Sequence, residues 1–79
     1  MNWKNYIVAD PEVLSGKPVI TGTRLSVELI LDRLADGWSE QDLYRSYPNL
    51  KPEALHAVFA FSAEVMRDED YIARSKAVA

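Results

Sequence analysis

Cysteine is absent from this chain of 79 residues, histidine occurs once, and there are three glycines. Without cysteine, neither a disulfide framework nor a thiolate metal site can supplement a small core. A domain of this size buries roughly 60–65% of the surface its unfolded chain exposes. Apolar packing must therefore carry the fold, extended by any association of identical chains. The material for it is present: hydrophobic residues make up 48%, with two Trp, four Tyr and two Phe. One domain spanning 1–79 is expected. Long apolar runs are also lacking. Residues 1–13 contain Asp10 and Glu12 and no apolar run of signal-peptide length, and nothing approaches the roughly 20 residues of a membrane span. Export and membrane insertion are not expected, and a cysteine-free chain suits a reducing cytoplasm.

The same shortages bear on chemistry. With His56 alone and no cysteine, the nucleophile–base pairs of acyl transfer lack their parts. Metal binding needs several convergent ligands, and a single helical histidine is more often structural or a surface contact. Gly16-Lys17 lacks the preceding glycine of a phosphate loop. No enzyme, cofactor or metal site is expected. A large excess of either charge is lacking too, with 12 acidic against 9 basic residues and a net charge of -3. Indiscriminate nucleic-acid binding depends on neutralising phosphates, so DNA contact would need a local basic patch.

The pattern along the chain predicts a mainly α fold with a short N-terminal β-element. Trp3 to Ala9 reads as a strand from its bulky side chains. Asp10-Pro11 breaks it and suits a single turn to Leu14. Lys17 to Ile20 reads as a second short strand, at a sheet edge because Pro18 cannot donate to a ladder. These two strands are expected to pair with each other or with a second copy. From Ser26 the period becomes helical, with Val27, Ile30, Leu31 and Leu34 on one stripe. Ser26 is the N-cap and Gly37 the stop. Ser39 with Asp42 forms a capping box for a second helix from Glu40 to about Tyr47. Pro52 opens a third helix, whose Leu55, Val58, Phe59, Ser62, Val65 and Met66 form a stripe widened by Ala54, Ala57 and Phe61. So broad an apolar arc implies burial on two sides. The parts are thus a β-element over 1–25, a three-helix core of helix-turn-helix order over 26–66, and a tail or helix extension over 67–79.

That order places a third helix where a DNA reader would lie. Asn49, Lys51, Glu53 and His56 stand at its start, and Lys51 and Arg45 could hold phosphates. The stretch Gly16-Lys17-Pro18-Val19-Ile20-Thr21-Gly22-Thr23-Arg24 combines turn-forming glycines with two threonines able to fix a bend. Arg24 enters the first helix at its positive dipole end, so a carboxylate or phosphate partner is expected for it. A structural ion pair with an acid of the first or second helix is an equal alternative. Lys17 and Arg24 could extend a basic edge. Solvated surface charge is the plain alternative for them all.

This nine-residue stretch, followed by Gly37-Trp38-Ser39 and Tyr47-Pro48-Asn49-Leu50, resembles the signature of a bacterial and archaeal family long catalogued as a domain of unknown function. The resemblance runs from about Ile7 to about Ala63. It implies a homeodomain-like or winged helix-turn-helix fold with an N-terminal β-element, in a family regarded as VapB-type antitoxins encoded beside a PIN-like ribonuclease. Such an antitoxin silences its toxin and represses their shared promoter. It implies no catalytic residues. The expectation is a homodimer touching operator DNA through Arg24, Arg45, Asn49, Lys51 and His56. The toxin would be met by Phe61, Val65, Tyr71 and Ile72. The rival expectation is a dimeric protein-interaction module without DNA contact.

Overall fold

The computed structural model describes residues 1–67. A two-stranded antiparallel sheet, β1 (Ile7–Ala9) and β2 (Pro18–Ile20), is followed by three helices, α1 (Val27–Ala35), α2 (Glu40–Ser46) and α3 (Pro52–Met66). Ile7 lies opposite Ile20, Val8 opposite Val19 and Ala9 opposite Pro18. This register turns Ile7 and Ile20 together into the core, where both are buried. The two strands pair with each other, the first of the two arrangements expected for them.

The first strand is shorter than its side chains suggested. Trp3–Asn5 forms a 3-10 turn, because the Asn2 side chain accepts from Lys4 N and Tyr6 N donates to Trp3 O. That turn sets the Trp3 ring edge-on to Phe61 of α3, with centroids 4.9 Å apart. A local polar bond and a distant aromatic contact override strand propensity here.

Each helix is marked by its ends. Ser26 accepts from Leu29 N at 2.9 Å and caps α1. At the far end Gly37 adopts φ +96°, so that its N–H reaches Leu34 O and Trp38 N reaches Arg33 O. These are the paired bonds of a Schellman stop, which places glycine where other residues are strained. Ser39 and Asp42 form a reciprocal capping box on α2. Pro52 begins α3, and Lys51 ahead of it makes no side-chain cap bond.

Ile30, Leu43, Leu55 and Val58 are fully enclosed and join Val27, Leu50, Ala54, Ala57 and the two sheet isoleucines in one core. The predicted α3 stripe divides. Leu55 and Val58 are buried, while Phe59, Val65 and Met66 are 43%, 53% and 51% exposed. At 1.5 Å per residue α3 is about 22 Å long and α1 about 14 Å. The last turn of α3 thus lacks the cover that its first two turns receive. Among the described residues no helix is long and apolar enough to cross a membrane.

Two outcomes follow from these contacts. Leu55→Ala should lower the unfolding free energy by about 2–5 kcal/mol, measured by urea titration. The Ser39 backbone N–H, with a smaller contribution from its hydroxyl, holds the Asp42 carboxyl below the ordinary carboxylate range. A depressed folded-state pKa contributes stability above the unfolded value, and that contribution is lost as pH falls through the folded one. The melting temperature should therefore decline as pH drops below about 4, and less steeply in Asp42→Asn.

Candidate functional site

The segment after β2 is a tight turn closed by one hydroxyl. Thr23 Oγ1 donates to Ile20 O at 2.8 Å and accepts from Leu25 N at 3.0 Å, while Thr23 N also donates to Ile20 O. Gly22 between them adopts φ +80°, open to glycine at no steric cost. Ile20 N donates to Leu25 O, and Val19 bridges to Ser26, so the chain doubles back from strand into helix. Thr21 N is tied to Tyr6 O of the preceding segment at 2.9 Å. The glycines and threonines of the motif thus build a fixed platform, and Arg24 stands exposed at its tip.

Arg24 lies between two clefts. One, of about 500 Å³, is formed by the hairpin with Val8, Val13 and Val19, and its single acid is Asp10, whose Oδ1 already accepts from Glu12 N. The other, of about 260 Å³, opens between Thr23-Arg24-Leu25 and Ser46-Tyr47-Pro48-Asn49 at the end of α2. Asn49 also borders a neighbouring cleft of about 280 Å³ with Thr21, Lys51 and Glu53. Two segments more than twenty residues apart in sequence therefore share one edge, with Arg24 and Lys51 as cations and Asn49 between the clefts. The ion pairs found among the described residues are Lys17–Glu28 and Arg45–Asp42. Arg24 takes part in neither, so the alternative of a structural pair with an acid of α1 or α2 is not realised. Lys17 lies 2.9 Å from Glu28 on α1 and is engaged there rather than adding its charge freely to the Arg24 edge.

The connector that positions Asn49 is braced from α1. The rings of Trp38 and Tyr47 stack at 6.2 Å with 14° between planes. The Arg33 guanidinium lies 5.2 Å from the Trp38 centroid, and its Nε donates to the Tyr47 hydroxyl at 3.3 Å. Leu50 N donates to Tyr47 O and closes the turn, burying Leu50. Trp38 and Tyr47 hold the ends of α1 and α2 together, and the clefts inherit that geometry.

The profile of the family described as "Protein of unknown function (DUF433)" matches residues 7–62. The chain belongs to this DUF433 family. Among solved structures it is similar to a DUF433 member protein from Anabaena variabilis, with a TM-score of 0.74 and 27% sequence identity, over 94% of this chain and 70% of that one. No curated protein matches the chain. The matched segment contains the Thr23 turn, the aromatic brace and both clefts beside Arg24.

The residues singled out from sequence are dispersed unevenly in this DUF433 chain. Asn49 shares one cleft with Arg24 and the neighbouring one with Lys51. Arg45 is exposed and lies 3.7 Å from Asp42 on its own helix, lining none of these clefts. His56 is exposed on the outer side of α3, one turn beyond Pro52 and Glu53. Phe61 is half-buried against Trp3 and the core, whereas Val65 is exposed. Tyr71 and Ile72 lie outside the described residues. Thr21, Tyr47 and Pro48 were not picked out as site residues, although they line the clefts. The turn chemistry of Thr21 hinted at this, and Tyr47 and Pro48 were marked only as part of the family signature.

Replacing Thr23 by valine keeps shape but removes both hydroxyl bonds, leaving Ile20 O and Leu25 N less well satisfied. Thr23→Val should cost about 1–2 kcal/mol of unfolding free energy and raise amide exchange in 20–26, read by NMR.

Proposed function

We propose that this chain is a DNA-binding antitoxin of a type II toxin–antitoxin pair, acting as a homodimer on operator DNA and neutralising a PIN-like ribonuclease toxin. One observation carries the DNA half: Asn49, ahead of α3, shares one cleft with Arg24 and the neighbouring cleft with Lys51. In a helix-turn-helix reading, α2 and α3 are the motif's two helices and the Tyr47–Lys51 connector is its turn. Arg24 and Lys51 then hold phosphates on either side of the α3 N-terminus, which sets register without reading sequence. Asn49 and His56 supply base contacts, Asn being suited to bidentate pairing with adenine. Arg45, on the adjoining helix, adds a further phosphate contact. A net charge of -3 leaves only this local patch to meet DNA, so strong salt dependence is intrinsic to the proposal. Dimerisation supplies two half-sites, and the outer edge of β1, with Val8 44% exposed, offers strand pairing to a second copy.

A second reading, a dimeric adaptor that binds protein and no DNA, is favoured by a different observation. The outer side of α3 carries Phe59 and Met66 exposed, with Glu53 among the few polar groups near its start. Apolar and acidic groups there suit a protein partner better than a major groove.

Fluorescence anisotropy with duplex DNA from upstream of the chain's own gene separates the two. Sequence-preferring binding is expected, with Arg24→Ala and Lys51→Ala each weakening all sequences and lowering the slope of log K against log salt by about 1. Asn49→Ala should instead relax preference at one base, by about 1–3 kcal/mol. Absence of any sequence preference, with or without the toxin, leaves the adaptor reading.

A further inference from the structure

On the side of the molecule formed by α1 and α3, an apolar groove of about 290 Å³ has Pro18, Val27, Leu31 and Phe61 as its floor and Glu28 and Asp32 at its rim. Val27 and Leu31 are four residues apart on α1, and so are Glu28 and Asp32. An apolar row and an acidic row therefore run side by side along the helix, offset by one residue, or about 100° around its axis. Leu31 is 36% exposed. Val65, one turn beyond Phe61 on the same side of α3, is exposed as well and continues the apolar surface toward the helix end. Glu28 is joined to Lys17, but both side chains are more than half exposed at 66% and 56%. Such a pair is held weakly against water and can be exchanged for another cation.

We infer that this groove seats an amphipathic helix of a partner protein whose apolar stripe is flanked by Lys or Arg. The inference rests on the partner-binding half of the function proposed above and names the chemistry of that partner. Charge complementarity selects the occupant. Apolar knobs at i, i+3, i+4 and i+7 fill the row of Val27, Leu31 and Phe61, and cations alongside meet Glu28 and Asp32. A second copy of this chain is the wrong occupant, since a two-fold contact through the groove gathers Glu28 and Asp32 of both copies into one interface. An anionic membrane surface is repelled by the same two acids.

The test uses the full 79-residue chain and two fluorescent helical peptides with identical leucines at i, i+3, i+4 and i+7, one flanked by lysines and the other by glutamates. Anisotropy at low salt should show the lysine peptide binding at least about 10-fold more tightly, a difference that Debye screening reduces as salt rises. Glu28→Lys with Asp32→Lys should reverse the preference, and these exposed positions leave the core untouched. Leu31→Gln should weaken the lysine peptide, with circular dichroism confirming the fold. Equal affinity for the two peptides, or a preference unaltered by the double charge reversal, overturns the inference. So does a dimer in light scattering that Leu31→Gln dissociates, because it assigns the groove to a second copy. Peptide and DNA binding are read in separate assays, so loss of one leaves the other standing.

Discussion

Leu43 is the one side chain that α2 buries completely, and it sits in the centre of the core with Ile30 and Leu55. A helix of seven residues does not persist in water by itself. Its existence depends on that contact, on the capping box at its start and on the aromatic brace at its end. Everything that follows α2 is placed by it. The Tyr47–Lys51 connector, the burial of Leu50 and the entry angle of α3 are fixed because α2 is pinned at one point and clamped at both ends.

The N-terminal half is organised on the same economy. Two strands of three residues would be marginal alone. They are kept by burying Ile7 and Ile20 on the helices, and by the Thr23 hydroxyl that folds the chain from β2 into α1. Both halves thus use short polar bonds at element ends to aim a small amount of apolar surface at one core. The smaller cleft beside Arg24 lies where the two halves meet, bordered by the Thr23 turn on one side and the α2–α3 connector on the other. The α1/α3 groove lies where the core runs out of cover.

This division accounts for the two kinds of surface. Near the turn, backbone fixed by the Thr23 hydrogen bonds presents cations and an amide. On α1 and the later turns of α3, apolar rows emerge beside acids because those helices extend beyond the elements that pack on them. A chain with a net charge of -3 keeps most of its surface suited to partners of opposite sign.

Helix ends were legible in the residue order because capping is local chemistry. Ser26, Gly37, Ser39 with Asp42, and Pro52 each act within four residues of themselves. The glycines and threonines of the 16–24 stretch announced a turn for the same reason, and the family signature lay in those same segments. The strand from Trp3 was misjudged because its first half answers to Phe61, nearly sixty residues away, and to the Asn2 cap. What a periodic stripe buries also lay beyond local pattern: Phe59 and Val58 are adjacent and equally apolar, yet only packing partners decide that one is enclosed and the other exposed. The meeting of Arg24 with Asn49, and the release of Arg24 from any acid of α1 or α2, were likewise tertiary. Sequence determined where each helix begins and ends; only the fold decided which distant side chains share a surface, because that depends on how the elements cross.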